Sequence, residues 1–306
     1  MDYRWAVLMR SLFGRSFGNE ELRRLLSPTL SVNDAGAVLA CLDQPPLANL
    51  AEDWWAYAHK VEARSRELGV VWTYPGLADY PRAWTYLEGC PLVLSYQGQS
   101  VWNDCSVLGV VGSREPMRES LAWMSRELRS FLRDSDIALV SGGARGIDQM
   151  AHRLCLETER PTILVLPSGL ENPYPPGVDK MISQIVGAGG ACVSTFSFEQ
   201  SMRKQLFHIR NRWIAGLASS VLVVECNRRS GTSMTARLTV ELGRTLATVP
   251  LSPMSCKGQG NLDLLRDGAQ LIRDAEDIRS LMMVEPHYLR PLPRPWPNSI
   301  LLDSPS

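Results

Sequence analysis

The stretch IALVSGGARGIDQMAHRLC, residues 137–155, decides how the chain is read. Ile137 to Val140 form an unbroken apolar run, the mark of a strand buried on both faces. Ser141, Gly142 and Gly143 follow, where a tight turn and a close backbone approach are wanted. From Ile147 the pattern turns helical. Strand, glycine turn, helix is half of a βαβ unit.

The same theme repeats on both sides. SVLGVVGSR (106–114) is an apolar strand ending in Gly-Ser-Arg, with a helix expected over 118–133. PTILVLPSGL (161–170) is a strand and turn, 178–188 a helix, and GACVST (190–195) a further strand. ASSVLVVECNRRSGTSMTARLTVELGR (218–244) is again strand, polar turn and helix, and TLATVP (245–250) closes the set. PLVLSY (91–96) reads as a strand ahead of them. Apolar strands alternating with helices predict an α/β fold: an extended Rossmann-like, doubly wound, mostly parallel sheet over residues 72–284. Residues 1–71 predict a small helical domain, since LMRSLF, ELRRLL, AGAVLACL and WWAYAHKVEARSREL space apolar residues at three and four. Residues 285–306, dense in proline, predict an extended tail.

Composition narrows the function. The 32 basic and 32 acidic residues cancel, so nothing pulls the whole chain toward nucleic acid or membrane, and an anion site must come from local clustering. No apolar run approaches membrane-span length, and MDYRWAVLMR lacks the features of a secretion signal. The seven cysteines are scattered without a CxxC pair, which speaks against a zinc or disulfide framework and for reduced thiols in the cytoplasm.

In an open parallel sheet ligands bind beyond the carboxyl ends of the strands. Four loops fall there, VGSR, SGGARGID, PSGLENPYP and CNRRSGTS, all rich in glycine, serine or arginine. Gly112, Ser113 and Arg114 offer a hydroxyl and a guanidinium to a phosphate. Gly142, Gly143, Ala144, Arg145 and Gly146 open a helix whose amides can hold an oxyanion, with Asp148 as its cap or as a partner for Arg145. Between Glu199 and Arg244 stand Arg203, Lys204, Arg210, Arg212, Arg228, Arg229, Arg237 and Arg244, against Glu199, Glu225 and Glu241. Arg210 and Arg212 are expected at the start of a short helix, where the macrodipole disfavours cations and a bound anion offsets the cost. Ser230, Gly231, Thr232, Ser233 and Thr235 serve either as a helix cap alone or as a cap that also meets a ligand. His152, four residues after Asp148, is expected to pair with it. His208 is a weak general base. No GKS or GKT loop and no GxSxG elbow is present, and no catalytic constellation or metal site emerges.

The order VVGSR, LVSGGARGIDQMAH, TILVLPSGLENPYP, FHIRNRWIAGLASSVLVVECNRRSGTSMTARLTVELGR and LLRDGA resembles the DNA-processing protein A (DprA, or Smf) family over roughly residues 74–272. The resemblance implies single-stranded DNA binding, delivery of that DNA to a RecA-type recombinase in natural transformation, a homodimer, and neither enzyme activity nor cofactor. It places Arg114 and Gly142–Gly146 at the DNA pocket. It maps the family's arginine motif onto Phe207, His208, Ile209, Arg210, Asn211 and Arg212, with Phe207 available to stack on a base and Arg203 or Lys204 contacting DNA. Three positions depart from the pattern: Ser194–Glu199 replaces a glutamate and Pro-Pro-Gly, His208 replaces a proline, and Leu251-Ser252 replaces Pro-Gly. The winged-helix domain often found at the family's C-terminus is missing from this sequence. The rival reading is a nucleotide-processing or nucleotide-sensing protein similar to phosphoribohydrolases that cleave nucleoside monophosphates. Their PGGxGTxxE loop corresponds to Arg229–Thr235, which has threonine at Thr235 in place of the glutamate.

Overall fold

A computed structural model describes residues 52–283, apart from 76, 88, 89, 92 and 256. The helices expected over 1–51 and the proline-rich 285–306 lie outside the described residues.

Among the described residues the nine strands are β1 Val70–Thr73, β2 Leu94–Gly98, β3 Ser106–Gly112, β4 Ile137–Gly142, β5 Thr162–Val165, β6 Ala191–Ser194, β7 Ser220–Glu225, β8 Thr245–Thr248 and β9 Gln270–Leu271. They form one sheet in the order β1-β2-β6-β5-β4-β3-β7-β8-β9. The seven strands from β6 to β9 are parallel, while β1 and β2 add antiparallel pairs at one edge. The helices are α1 Glu52–Glu67, α2 Arg82–Thr85, α3 Arg118–Trp123, α4 Arg129–Arg133, α5 Ile147–Glu157, α6 Asp179–Gly187, α7 Leu206–Leu217, α8 Gly231–Glu241, α9 Gln259–Arg266 and α10 Ala275–Met283. A π-helical turn, Met124–Leu128, joins α3 to α4.

Both faces of the sheet are covered. On one, Val111, Val140, Val165, Val221 and Val223 pack with Trp84 of α2, Trp213, Ile214 and Leu217 of α7 and Ala236 of α8. On the other, Leu108, Val110, Leu139, Leu222 and Val224 pack with Leu128, Phe131, Leu154 and Ile278. Each buried Val, Leu, Ile or Phe contributes about 1.5–3 kcal/mol of transfer free energy. Val61 of α1 joins Leu164, Leu166, Ile182 and Phe198 in a third cluster. The boundary expected between 71 and 72 therefore falls inside β1, and α1 packs as part of the α/β unit. The expected strands and helices from 91 to 250 are present. The sequence reading missed β1 and the two-residue β9.

The chain leaves β3 in two directions. One series runs outward through β4, β5 and β6, and the other through β7, β8 and β9. After β3 it crosses to one face as α3 and α4, and after β7 to the opposite face as α8. The loops after β3 and β7 thus diverge, and such a divergence opens a crevice at the carboxyl ends of the strands.

Candidate nucleic-acid interface

A cavity of about 440 Å³ occupies that crevice, walled by Ser113 and Arg114 after β3, Ala144 and Asp148 after β4, Asn227, Gly231 and Thr232 after β7, and Phe207, Arg210 and Asn211 of α7. A second cavity of about 270 Å³ adjoins it, lined by Gly143, Arg145, Pro167, Tyr174, Pro175 and again Arg114, Phe207 and Arg210.

Arg210 is the centre of the arrangement. It is only 4% exposed. Its Nη1 donates to the carbonyl of Val165 at 3.1 Å, and its buried Nε has no partner. Gly142 makes room for it: a Cβ there would lie 1.7 Å from Nη1. The second glycine with a clear duty is Gly146, at φ +88, where a Cβ would also lie 2.3 Å from the carbonyl of Ser113. That contact and the bond from Ile147 N–H to Ser113 O at 3.1 Å lock the start of α5 onto the loop bearing Arg114.

Arg114 is exposed, and its guanidinium lies 5.3 Å from the centroid of Phe207, with that of Arg210 at 5.6 Å. Tyr174 meets the same ring edge-on at 5.9 Å, beside the cis Tyr174–Pro175 peptide. A base stacking on Phe207 must therefore share the ring with guanidiniums or move Arg114 aside. Cations over an aromatic face are themselves favourable by roughly 0.5–2 kcal/mol.

Asp148 does not cap α5 and does not pair with Arg145. It is buried, accepts from the N–H groups of Gly112 and Ala144, and feels the charges of Arg210 and Arg114. Burial outweighs those favourable contacts and pushes its carboxyl up to about 7. Burial lowers Arg210 to about 10, opposed by the charge of Asp148, so the guanidinium remains charged at neutral pH. His152 does not reach Asp148 either. Its Nδ1 meets Thr162 Oγ1 at 2.7 Å, and burial with Arg210 nearby pushes it down to about 3, which leaves a neutral core imidazole.

The polar turn after β7 is a cap. Ser230 accepts from Ser233 N–H at 3.2 Å and the Ser233 hydroxyl accepts from Ser230 N–H at 3.1 Å, a reciprocal capping box. The Thr232 hydroxyl donates to Gly112 O, and that of Thr235 to Gly231 O. These hydroxyls and the Ser230 and Ser233 amides are spent on the fold, so the groups this turn offers a ligand are the amides of Gly231 and Thr232. Thr235 lines the larger cavity at the position where the rival family's glutamate would stand.

The basic cluster divides. Helix α7 begins at Leu206, so Arg210 and Arg212 stand in its second turn rather than at its start. Two residues on, about 200° around the helix, Arg212 points away from Arg210, lies 5.9 Å from the ring of Trp213 and lines neither cavity. Arg203 and Lys204 are exposed ahead of α7 and line neither cavity. Arg228 is bound bidentately by Asp263, Arg237 pairs with Glu241, and Arg244 donates to the carbonyls of Ala83 and Gly216. Glu225, counted from sequence among the opposing acids, is fully buried. It accepts from Met117 N–H at 2.8 Å and the Ser120 hydroxyl at 2.7 Å, and so fastens the segment after Arg114 to the end of β7.

Sequence reasoning missed Glu115 and Lys257 as lining residues, and did not single out Asn227 and Tyr174 within the loops it named. Lys257 Nζ donates to Glu115 O at 2.9 Å across 142 residues, a link no local pattern reveals. Among the described residues no group of three or more His, Cys, Asp or Glu side chains is placed to hold a metal, and no helix is long and apolar enough to cross a membrane.

A family model described as DNA recombination-mediator protein A matches residues 72–283. Protein Smf of Synechocystis is 35% identical over 202 residues, 65% of this chain and 50% of that protein. Protein Smf of Escherichia coli is 35% identical over 187 residues, 61% of this chain and 50% of that protein. The chain thus spans about half the length of these curated relatives. Among solved structures, DNA processing protein A from Streptococcus pneumoniae superposes with a TM-score of 0.70 at 22% identity, over 92% of this chain and 98% of that one, which shows the shared fold. DNA processing protein A from Helicobacter pylori, described with a unique single-stranded DNA binding mode, superposes with a TM-score of 0.62 at 26% identity, over 71% of this chain and 97% of that one.

Proposed function

The chain belongs to the DNA recombination-mediator protein A family, and on that premise we propose that its strand-end crevice binds single-stranded DNA without strong sequence preference, as a cytoplasmic, non-enzymatic mediator that presents the strand to a RecA-type recombinase. The observation that carries this reading is the convergence of Arg210, nearly buried with an unpartnered Nε, and exposed Arg114 on one aromatic ring between two cavities. A buried guanidinium without a full set of acceptors is costly unless an anion supplies them. The Helicobacter pylori relative, described as binding single-stranded DNA, supports the choice of ligand. The homodimer is proposed on family grounds.

The test is fluorescence anisotropy of a labelled oligothymidylate across a salt titration. Arg114→Ala removes an exposed side chain with little structural role, so a folded variant is expected. Losing one charge-assisted phosphate contact predicts roughly tenfold or more weaker binding and a log–log salt slope shallower by about 0.7. Unchanged affinity and slope in Arg114→Ala sinks the assignment.

The second reading, nucleotide processing, has one observation in its favour: Asp148 lines the larger cavity with a carboxyl near neutrality, as a general acid requires. Release of free base from a panel of nucleoside monophosphates, abolished in Asp148→Asn, establishes it in place of the first.

A further inference from the structure

We propose, resting on the single-strand reading, that α1 is a positioning element for DNA binding: Lys60 and Arg64 clasp the loop between β6 and α7 and the loop after β5, and this clasp sets how α7 is presented to a strand. Residues 195–205 join β6 to α7 and contain no proline, so no fixed φ stiffens them. Their position comes from contacts. Phe198, 1% exposed, is buried with Val61 of α1 and Val70 of β1, and its ring lies 6.2 Å from that of Trp72. The segment is laced to the loop after β5. Gly169 N–H donates to Gln200 O at 2.7 Å, Glu171 N–H to Phe198 O at 3.1 Å, and Asn172 Nδ2 to Glu199 O at 2.9 Å.

Helix α1 ties these two loops down by charge. Tyr57, Lys60 and Arg64 follow one another at intervals of three and four, so they share one face of the helix. Lys60 Nζ lies 3.1 Å from Glu199 Oε1, and Arg64 Nε lies 3.3 Å from Glu171 Oε1, across 139 and 107 residues of sequence. The phenol of Tyr57 lies beside both acids. Each loop runs on to the groups that wall the cavities. The first leads through Arg203 and Lys204 to Phe207 and Arg210 of α7, and the second leads to Tyr174, whose ring meets Phe207 edge-on. Exposed ion pairs add little to global stability, and Phe198 already anchors the loop in the core. Their effect falls on the choice among loop positions, a local equilibrium of small free energy.

The experiment measures amide hydrogen exchange over 168–172 and 195–206 in the full chain and, on the same proteins, anisotropy of a labelled oligothymidylate. The variants are Lys60→Glu, Glu199→Lys and the double charge swap. Exchange in both loops is expected to quicken about fivefold in each single variant, where repulsion replaces attraction, and to return to the wild-type rate in the swap. Affinity is expected to fall about fivefold in Lys60→Glu and to recover in the swap, whose net charge is that of the wild type. Glu199→Lys separates the clasp from the protein's field. Its added positive charge alone tightens binding to a polyanion, whereas release of the loop weakens it, and weakening is expected. Unchanged exchange in the single variants overturns the clasp, as does a swap that exchanges as fast as they do. Faster exchange with unchanged affinity, or tighter binding by Glu199→Lys, overturns the positioning role. If the wild-type protein binds no oligothymidylate at all, the single-strand reading fails and the positioning role falls with it, while exchange alone still decides the clasp.

Discussion

Arg210 keeps a positive charge where the surrounding protein supplies one carbonyl and a neighbouring buried acid. A buried charge with so few acceptors carries a desolvation cost that an apolar side chain of similar length does not. Arg210→Met is therefore expected to melt at the same or a higher temperature while losing at least about tenfold in affinity for an oligonucleotide; a clearly lower melting temperature identifies Arg210 as a structural residue. Asp148 gives a pH signature. Its folded carboxyl titrates near 7, well above the ordinary unfolded value of about 3.9. Below about pH 4 both states are protonated and it costs nothing. Between about 4 and 7 the unfolded chain releases a proton that the folded chain retains, so its contribution to stability falls as pH rises through that window. Ionised Asp148 also repels a phosphate in the same cavity, so DNA affinity should weaken as pH rises past about 7. In Asp148→Asn both trends should flatten, read as melting temperature and anisotropy from pH 5 to 8; a wild-type slope surviving in the variant rules out Asp148 as the source.

Helix α7 explains why His208 is tolerated where the family pattern has proline. The helix starts at Leu206, so position 208 lies in the first turn, where a proline costs little because most N–H groups there have no intrahelical partner. Here the His208 N–H finds only a local acceptor, Gln205 O at 3.2 Å, and the imidazole is exposed. His208→Pro should therefore bind DNA within about twofold of wild type, since a phosphate contact is worth far more than this first-turn bond; loss comparable to Arg114→Ala would show that the imidazole itself meets the ligand. The helix also shows where sequence reading stops. Its period and its feed into β7 were legible in RNRWIAGLASSVLVV, as was the arginine motif. The start of the helix was not, because LFHI carries no capping residue, and so Arg210 and Arg212 were given one direction. A two-residue offset on a helix sends side chains to opposite sides, and only the register against the sheet tells which side is inward. The turn 230–235 left cap and ligand open for the same reason. Hydroxyls near a glycine read alike in both roles, until Thr232 is seen donating to Gly112 and Ser230 capping Ser233.

At the scale of the molecule the fold was legible because the strands from β3 to β8 are short, apolar and separated by helices, so alternation alone implies a parallel two-faced sheet. The two edge strands escaped because β1 is only four residues long, buried at its two ends, and adjoins a helical run, and β9 is two exposed residues long. Long-range links such as Glu225 to Met117 and Lys257 to Glu115 escaped because nothing local encodes a partner more than a hundred residues away. These links bear on function through charge. The formal charge of the whole chain is zero, so any affinity for a polyanion comes from how the fold sorts its charges. Arg228, Arg237 and Arg273 are matched to Asp263, Glu241 and Asp277, whereas Arg114 and Arg145 at the crevice form no ion pair among the described residues. The field is then local and short-ranged, extending about a Debye length, roughly 8–10 Å at ordinary salt. Removing paired surface charge far from the crevice should matter little. Arg273→Gln, on the β9 side, is expected to leave both oligonucleotide affinity and the salt slope unchanged within error, while Arg145→Ala, equal in charge change, flattens the slope by about 0.7. Equal effects from the two variants would mean that binding follows net charge, and that the strand-end crevice does not define the site.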